Sequence, residues 1–470
     1  MIMKLALVSL ERNEPDPPMG LAYIASYLRK YGNFDNTVIV DKEDPIKRLR
    51  KEKPDLIGVG SMTYEFPRAR IIAKQIKEEF DVPTIIGGHH ITLMPHHFES
   101  SGYDLAVIGE GEQTMLDLVN IFERRDFNAE DLRKVKGIAF RENDKVIFTE
   151  KRPLAENLDF IPYPARDLLK MDEYYKTLRR ATFKKFGIYL PMFTSIGCPY
   201  KCAFCSISVF WQKARFHSAE YVVGEMKELV EKWGADGIIL YDDLFIADKN
   251  RVEKIAALLK EEGLTDRVKF HMYGRANLID ESICRTLKSM NVAITEFGLE
   301  SGSERTLSYL KGGNVTVAQN RNALKLCKQF DFKTIGSFII GCPGETEDDL
   351  KQTMALVKDS NLDQAHVYQL TPFPGTKIWE YAKQKGFVND SPDFDLNRIY
   401  LRMFKENLVL TDEISPQKLK EWYELFQKEV EKKIKKTSML SYAKHLKAKH
   451  MKYLFTKRFI RKVLRYGNMI

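Results

Sequence analysis

The chain has 470 residues, of which 44% are hydrophobic and 30% charged, and its net charge at pH 7 is +9. This length exceeds one small domain, so two or three domains are expected, and the composition is ordinary for a soluble globular protein. No run of about 18 apolar residues predicts a membrane span. The short apolar run in MIMKLALVSLERNEP is too quickly followed by charge for a signal peptide. A cytoplasmic protein is therefore predicted.

Residues 1–150 predict a Rossmann-like domain built on a doubly wound parallel sheet. Short apolar runs such as LALVSL, TVIVD and DLIGVGSM alternate with amphipathic stretches such as GLAYIASYLRKYG and PRARIIAKQIKEEF. This is the rhythm of alternating strands and helices. Ligands bind such sheets at the carboxyl ends of the strands. Those ends carry small and polar residues, namely Ser9, Ser61 to Thr63, Gly87 to His90 and Gly109 to Gly111.

A second series of strands and helices follows a predicted hairpin, GIAFRENDKVIFTE, and a proline-rich linker at residues 151–190. Six strand-like segments, from FTSIGC to AHVYQLTPF, alternate with helical segments and predict a partial (β/α)6 barrel over residues 191–405. Residues 406–470 predict a helical C-terminal region. The predicted fold class is therefore α/β, with a Rossmann-like sheet first, the partial barrel second and helices last.

Three of the six cysteines, Cys198, Cys202 and Cys205, lie in the loop GCPYKCAFCS after the first predicted strand of the second series. Their crowding argues against a disulfide framework and for metal chemistry. A structural zinc site normally has four ligands, and the other cysteines lie singly on predicted helices or strands. Three thiolates on a four-iron cluster instead leave one iron open to another ligand. We therefore predict a [4Fe-4S] cluster here, with structural zinc as the alternative.

The CxxxCxxC spacing, with Phe204 before the last cysteine, resembles the cluster loop of the radical SAM superfamily. The resemblance extends from about Pro191 to Met403. It implies that the open iron binds the amino and carboxylate groups of S-adenosylmethionine (SAM), and that an electron from the cluster cleaves SAM to a 5′-deoxyadenosyl radical. That radical abstracts hydrogen from unactivated carbon.

The same resemblance implies which residues bind SAM. Asp242 and Asp243 are expected beside its amine and Glu300 at its amino group. Arg275 is expected at its carboxylate, which a guanidinium binds in bidentate fashion. The complete set is Phe204, Asp242, Asp243, Arg275, Glu300 and, in a turn near the adenine, Gly341, Pro343 and Gly344. The alternative for each acid or arginine is a solvated or salt-bridged group at the rim of the barrel.

The N-terminal segments PPMGLAYIASYLR, GGHHIT and GEGE, in this order, resemble the cobalamin-binding domain of a radical SAM class that includes hopanoid methylases and bacteriochlorophyll ring cyclase. No DxHxxG motif supplies an axial histidine, as is usual in that class. Small residues would let the backbone approach the corrin. The resemblance places Ser61, Thr63, Gly87, Gly88, His90, Thr92, Gly109 and Gly111 in the pocket.

Other interpretations of the N-terminal domain stay open. In one, the domain has lost the cofactor; in another, it binds a different nucleotide-like ligand. In either case His89 and His90 would be ordinary surface histidines. A methylthiotransferase has a similar cysteine loop, but such enzymes carry three further cysteines in the N-terminal domain. No cysteine precedes Cys198 in this chain.

The positive charge is concentrated in the tail. From Lys432 to Ile470 there are 13 Lys and Arg and no Asp or Glu, so the preceding residues carry a net charge of −4. Apolar residues recur at mainly helical spacing between Met439 and Tyr466, as in an interfacial helix on an anionic membrane. The alternatives are a structural helix packed on the barrel and a nucleic-acid patch. Membrane contact is favoured over nucleic acid, because the aromatic and aliphatic content exceeds what phosphate contact requires.

These features together predict a radical SAM enzyme that is a cobalamin-dependent C-methyltransferase. The resemblance implies that the SAM-derived radical removes hydrogen, that methylcobalamin supplies the methyl group, and that a second SAM remethylates the cobalt. A small molecule, and preferably a lipid or isoprenoid, is the expected substrate at the inner face of the membrane, with a ferredoxin or flavodoxin as reductant. The alternatives are a ring-forming, oxidising or coupling enzyme of the same class, and a non-catalytic cobalamin- or SAM-responsive iron–sulfur binding protein.

Overall fold

The computed structural model describes residues 3–10, 16–124, 128–143, 145–175, 188–211, 213–394 and 408–449, with side chains described as far as residue 434. The chain divides into two compact units. The first unit comprises Met1–Tyr200, Phe204–Lys269 and Thr371–Met403, and the second comprises Lys201–Ala203, Phe270–Leu370 and Phe404–Ile470. Each unit is therefore built from segments that are distant in sequence.

The first unit begins with a seven-stranded sheet. Its strands are Leu5–Ser9 (β1), Thr37–Val40 (β2), Leu56–Gly60 (β3), Thr84–Gly87 (β4), Leu105–Val107 (β5), Ile138–Glu142 (β6) and Lys145–Phe148 (β7). Their order is β2-β1-β3-β4-β5-β6-β7, with β1 to β5 parallel and β6 and β7 forming the predicted antiparallel hairpin. The apolar runs of β1, β3 and β5 are buried almost throughout, as expected of parallel strands covered on both faces.

Helices connect these strands as the sequence predicts. They are Met19–Tyr31 (α1), Pro45–Glu52 (α2), Phe66–Glu79 (α3), His89–Leu93 (α4), Gly111–Arg124 (α5) and Ala129–Lys134 (α6). Local chemistry sets their starts: Asp44 caps α2 by accepting a hydrogen bond from the Lys47 backbone N–H, and Pro45 occupies the first helical position. The strand order 2-1-3-4-5 is that of a doubly wound sheet. The predicted Rossmann-like fold is confirmed.

The second series of strands begins earlier than the sequence suggests. Tyr189–Met192 (β8) pairs in parallel with Gly237–Leu240, whereas the FTSIGC segment contains only the two-residue strand Ser195–Ile196 (β9), antiparallel to Arg215–Phe216 (β10). The interpretation of FTSIGC as the first parallel strand is therefore wrong. All four residues of β8 are buried, and the chain turns away after them because a buried acid binds the backbone at residues 194 and 195.

The remaining elements of this part of the first unit follow the predicted alternation. The strand Gly237–Leu240 is β11, and the helices are Ile207–Phe210 (α7), Ala219–Glu231 (α8) and Lys249–Glu261 (α9). Helix α8 also anchors the linker, because Glu225 forms a fully buried ion pair with Arg166 at 2.5 Å. Breaking such a pair leaves an uncompensated buried charge. The linker is therefore fixed against the helix at that point.

The second unit is a parallel sheet with helices between its strands. The strands are Lys269–Gly274 (β12), Val292–Glu300 (β13), Lys333–Ile340 (β14) and Gln364–Gln369 (β15), and neighbours in sequence pair in parallel. The helices are Glu281–Ser289 (α10), Glu304–Lys311 (α11), Val317–Gln329 (α12) and Glu347–Asp359 (α13). With β8 and β11, these strands supply the six that the sequence predicts for the partial barrel.

Two further helices complete the described chain, Lys377–Gln384 (α14) in the first unit and Pro416–Lys449 (α15) in the second. Helix α15 packs against β15 and α13, and it buries Leu419, Phe426 and Val430 at helical spacing. Within the described residues, no helix combines the length and the apolar character needed to cross a membrane. The amphipathic segment from Met439 to Tyr466 lies outside the residues whose side chains are described, so its membrane contact stays a prediction.

Candidate active site

The three cysteines of the predicted cluster loop lie between β9 and α7, and all three are partly exposed. Phe204, immediately before Cys205, is also partly exposed. The other cysteines, Cys284, Cys327 and Cys342, are buried. In the part of the chain that the structure describes, no three His, Cys, Asp or Glu side chains converge on one metal ion.

Two acids that follow β11 hold the chain just before the cysteine loop. Asp242 accepts hydrogen bonds from Thr194 N at 2.6 Å, Thr194 Oγ1 at 2.7 Å and Ser195 N at 2.5 Å. Asp243 Oδ2 accepts from Gly197 N at 2.8 Å. Burial raises the pKa of both carboxyls. The side chain of Asp242 is thus directed at the strand before the loop, so it positions the loop instead of facing open space.

Arg275, which follows β12 in the second unit, contacts a predicted cluster ligand. Its Nη1 lies 3.3 Å from Cys202 Sγ, and its Nε donates to Asn277 Oδ1 at 3.1 Å. The arginine is buried, with 5% of its surface exposed. The contact places a guanidinium charge beside the sulfur of a predicted cluster ligand. Contact of Arg275 with the SAM carboxylate stays a prediction.

Glu300 ends β13 with an unusual backbone conformation. Its φ is +59°, and the register with β14 shifts between Gly298 and Glu300. The carboxylate pairs with Lys311 Nζ at 2.8 Å, and both side chains are almost fully buried. A residue other than glycine in this region costs roughly 1 kcal/mol or more. Glu300 shares positive φ with six other described non-glycine residues, all of them Asn, Asp or Lys.

The turn after β14 also has the predicted glycine geometry. Gly341 and Gly344 have φ of +85° and +69°, with Pro343 between them. Glu345 holds the turn, because its Oε2 accepts hydrogen bonds from Gly341 N at 2.5 Å and Cys342 N at 3.1 Å. Burial raises the pKa of Glu345 to about 7. The Glu345 carboxylate therefore fixes the backbone of this turn, as expected of a loop that approaches a ligand closely.

A cavity of about 720 Å³ lies at the carboxyl ends of the parallel strands of the N-terminal sheet. Five of the predicted cobalamin residues line it, namely Ser61, Gly87, Gly88, Gly109 and Gly111. Gly88 has φ of +99°, and a Cβ at this position would lie 2.8 Å from the carbonyl oxygen of Ser61. Only glycine fits there, because its backbone packs directly against that of Ser61 at the wall of the cavity.

The cavity extends to the residues that flank the cysteine loop. Ile196 precedes the loop, Phe210 and Trp211 follow it, and all three line the cavity. Tyr241 also lines it, and its hydroxyl donates to Asp16 Oδ1 at 2.8 Å. A molecule in the cavity would therefore border the chain segment that carries the predicted cluster ligands.

The other predicted cobalamin residues, Thr63, His90 and Thr92, do not line the cavity. Thr92 Oγ1 donates to Gly88 O at 3.0 Å and accepts from Gly109 N at 2.9 Å. Thr92 therefore ties two cavity-lining turns together without reaching the cavity itself. Thr63 is buried in a short 3-10 turn after β3.

His90 belongs to the core instead of the cavity. Its ring stacks on Phe66 with centroids 4.1 Å apart, and its Nε2 lies 2.9 Å from His97 Nδ1. Full burial, with His97 and His96 nearby, lowers the pKa of His90 to about 3. This geometry therefore does not support direct contact between His90 and cobalamin.

His89 and Glu112 are among the titratable residues that line the cavity and that were not predicted from sequence to bind cobalamin. His89 is half-buried, its ring lies 4.7 Å from that of Phe210, and burial lowers its pKa. Glu112 lies in the first turn of α5, where burial raises its pKa to about 7. In the sequence, these two residues are indicated by their positions next to Gly88 and Gly111. A position next to a glycine does not show which of two neighbouring histidines faces the cavity.

Two family models match the chain. The B12 binding domain matches residues 7–119, which include the glycine turns of the cavity. The Radical SAM superfamily matches residues 192–357, which include the three loop cysteines, Arg275, Glu300 and the turn after β14. The two matches fall on the two regions that the sequence analysis separates.

Two relatives each match more than three quarters of the chain. An uncharacterized methyltransferase, PH0819, from Pyrococcus horikoshii is 35% identical over 378 residues, covering 78% of this chain and 78% of the relative. The anaerobic magnesium-protoporphyrin IX monomethyl ester cyclase of Rubrivivax gelatinosus is 30% identical over 400 residues, covering 80% of this chain and 68% of the cyclase. The two relatives are named for different reactions.

The fold is shared with a solved structure. The radical S-adenosylmethionine methyltransferase TsrM from Kitasatospora setae, with cobalamin and a [4Fe-4S] cluster bound, superposes with a TM-score of 0.70 at 18% identity, covering 83% of this chain and 76% of TsrM. Fold, site and relatives define a radical SAM enzyme with a B12-binding domain. The chain belongs to the cobalamin-dependent radical SAM family that includes methyltransferases, and its cofactors are a [4Fe-4S] cluster, SAM and cobalamin.

Proposed function

We propose that this enzyme transfers a methyl group to an unactivated carbon of its substrate. The observation that carries the proposal is the lining of the cavity. The glycine turns of the B12-binding domain form one part of it, and Ile196, Phe210 and Trp211, which flank the cysteine loop, form another. A methyl donor in this cavity would border the place where a substrate radical forms. Methyl transfer needs this proximity, because reacting atoms must be brought within a few ångströms.

The chain's own residues have defined tasks in this proposal. The cluster with SAM supplies a carbon-centred radical, and cobalamin supplies the methyl group. Cys198, Cys202 and Cys205 hold the cluster, and Arg275 contacts the sulfur of Cys202. Asp242 and Asp243 fix the strand and turn that lead into the loop. The enzyme also needs a reductant, for which we propose a ferredoxin or flavodoxin.

We propose a lipid or isoprenoid as the first candidate substrate, in agreement with the composition of the basic tail. The support is the mixture of Lys and Arg with apolar residues between Met439 and Tyr466. Peripheral contact with an anionic membrane would bring such a substrate to the enzyme.

A second candidate reaction is ring formation without methyl transfer. The relative from Rubrivivax gelatinosus, named a cyclase, favours this reading, since it matches 80% of the chain. Both reactions begin with hydrogen abstraction by the SAM-derived radical. They differ in whether the methyl group of SAM appears in the product.

The decisive experiment measures SAM cleavage and the fate of its methyl group together. Anaerobically reconstituted enzyme, supplied with a strong reductant and SAM carrying a deuterated methyl group, should form 5′-deoxyadenosine and transfer the label to a compound of a cell extract. Cys202→Ala should abolish 5′-deoxyadenosine formation, because the cluster loses a ligand. Cys284→Ala, which removes a buried thiol outside the loop, is the matched control and should remain active.

The outcomes separate the candidate functions. Formation of 5′-deoxyadenosine with an unlabelled product would favour ring formation, oxidation or coupling over methyl transfer. An inert wild-type protein with a complete cluster would instead indicate a non-catalytic iron–sulfur binding protein.

A further inference from the structure

Four acids are among the residues that line the cavity of the B12-binding domain, and their surroundings differ. Asp16 Oδ1 accepts a hydrogen bond from the Tyr241 hydroxyl at 2.8 Å. Glu65 Oε2 accepts one from the Met62 backbone N–H at 3.0 Å. The protein itself therefore supplies a hydrogen-bond donor to each of these two carboxylates.

Glu110, in the turn after β5, is the third of these acids, and it forms a buried ion pair. Its Oε1 lies 2.6 Å from Arg215 Nη2, and the arginine side chain is 2% exposed. Arg215 Nη1 also donates to the carbonyl oxygen of Ala155 at 2.7 Å. The positive charge of Arg215 is therefore already balanced by Glu110 before any ligand binds.

Glu112, the fourth acid, lies in the first turn of α5 and differs from the other three. Within the part of the chain that the structure describes, its carboxyl hydrogen-bonds only the backbone N–H of Glu112 itself. Burial raises the pKa of Glu112 to about 7, and the negative charge of Glu110 acts in the same direction. Near neutral pH, a large fraction of the protein therefore presents Glu112 to the cavity as a neutral carboxylic acid.

The titratable and charged side chains around Glu112 come from α5 itself and from the elements packed on it. They are Tyr23 and Tyr27 of α1, Glu110, Arg215 of β10 and, further along α5, the ion pairs Asp117–Arg152 and Arg124–Asp131. Burial raises the pKa of both tyrosines, so they are uncharged at neutral pH. Each arginine in this set already pairs with an acid. Little positive charge is therefore available to stabilise an ionised Glu112.

Cobalamin has groups that match a neutral acid, because its corrin ring carries primary carboxamides around the edge. A protonated carboxyl can donate one hydrogen bond to the carboxamide oxygen and accept a second from the carboxamide N–H. An ionised carboxylate has lost the donor and can only accept. No Lys or Arg is among the described residues that line the cavity, which also suits an uncharged edge of the ligand.

We infer that Glu112 binds cobalamin as a neutral acid, through a pair of hydrogen bonds to a carboxamide at the edge of the corrin. Glu110 stays ionised because it pairs with Arg215, and its charge favours the neutral form of Glu112 two positions away. The two acids thus hold different charge states because their environments differ. This role of Glu112 concerns the cofactor and goes beyond the proposed methyl transfer, so its test does not depend on the reaction.

The test measures the affinity of the full chain for cobalamin as a function of pH. Protein that carries its cluster but no corrin is equilibrated with cobalamin by dialysis at pH 6, 7.5 and 9, and bound corrin is measured by its absorption. Only the protonated form of Glu112 can donate to the carboxamide, so the affinity should be constant below the pKa of Glu112 and fall above it. We expect the wild type to bind at least tenfold more weakly at pH 9 than at pH 6.

Three variants make the test specific to this carboxyl. Glu112→Gln keeps a donor and an acceptor and does not titrate, so it should bind like the wild type at pH 6 and lose no affinity by pH 9; it also controls for titration of cobalamin itself. Glu112→Ala loses both hydrogen bonds and should bind about tenfold more weakly than the wild type at pH 6. Glu123→Gln is the matched control, because Glu123 is exposed on the same helix and does not line the cavity. Its affinity should follow the wild-type curve.

Contrary outcomes are equally distinct. A wild-type affinity that is the same at pH 6 and pH 9, or an equal fall in Glu112→Gln, overturns the assignment, as does wild-type affinity in Glu112→Ala. An affinity that rises with pH and is lost in Glu112→Gln means that the ionised carboxylate binds, for example to the cobalt ion, and overturns the neutral acid. None of these results bears on whether the methyl group of SAM reaches the product.

Discussion

His89 and His90 are neighbours in sequence, and their surroundings give them different chemistry. His89 lines the cavity of the B12-binding domain beside Phe210, whereas His90 is buried against Phe66 and His97. The helical turn that begins at His89 points successive side chains about 100° apart, so only one of the pair can face the cavity. His90 was the histidine predicted to line the cavity, but the structure places His89 there.

At this scale we predict that His90 makes the free energy of unfolding fall as the pH drops from about 6.5 towards 3. Burial lowers the pKa of His90 to about 3 in the folded protein, whereas a histidine in an unfolded chain titrates near 6.5. Between these values the unfolded state binds a proton that the folded state does not. Stability therefore falls by up to about 1.4 kcal/mol per pH unit through this one group.

Urea unfolding at pH 6.5, 6.0 and 5.5 measures this dependence. In His90→Gln the slope against pH should be shallower by about 1 kcal/mol per unit, because a glutamine binds no proton in either state. Equal slopes for the two proteins would mean that other groups carry the acid sensitivity.

At the scale of elements, the turns after the parallel strands determine the shape of the cofactor cavity. Gly88 follows β4 with φ of +99° and ψ of −170°, a region essentially restricted to glycine. Thr92 then links this turn to Gly109, which follows β5. Backbone turns, two of them linked by the Thr92 hydroxyl, therefore form much of the cavity wall. Small changes in one of these turns should alter cofactor binding.

We predict that Gly88→Ala lowers the corrin content of the purified enzyme at least tenfold. The new Cβ would lie 2.8 Å from Ser61 O and 3.0 Å from Ser61 N, so both turns must move. The measurement is the corrin absorption spectrum after growth with saturating cobalamin. Gly263→Ala is the matched control, because Gly263 also has positive φ (+64°) but a Cβ there meets nothing within 4 Å. A Gly88→Ala protein with wild-type corrin content would contradict this account.

Strand register explains why the contact between His271 and Glu296 is not recognisable from sequence. His271 and Glu296 are separated by 25 positions and lie on different strands, yet their side chains are 3.3 Å apart. Each residue alone is an ordinary polar residue in an apolar strand. Only the register between β12 and β13, which shifts between Phe270 and His271, determines that they meet.

At the scale of the whole molecule, the basic tail is expected to determine where the enzyme works. We predict that the full chain floats with liposomes containing anionic lipid, whereas a chain that ends at Glu431 does not, because the truncation removes the 13 Lys and Arg after that residue. Flotation with neutral liposomes is the control and should be weak for both proteins. Equal flotation of the two chains on anionic liposomes would remove membrane docking.

Local spacing alone was sufficient to predict the order of the elements and the cysteine loop. Cys198, Cys202 and Cys205 are recognisable because their ligand spacing lies within one loop, and Gly88 because it follows a buried strand. Short-range periodicity likewise predicted the Rossmann-like sheet and the series of six strands. It misplaced the first strand of that series, because burial of Tyr189–Met192 and the contact of Asp242 with residues 194 and 195 are long-range effects.

Only the tertiary structure decided which side chains face one another. It directed Asp242 to the backbone before the loop, Arg275 to the sulfur of Cys202, and Glu296 to His271. The physical reason is that a side chain's direction in a strand or turn depends on backbone torsion and register, and these are set by packing across the whole unit. The sequence by itself thus determined the cofactor chemistry, whereas the fold decided which side chains meet around it.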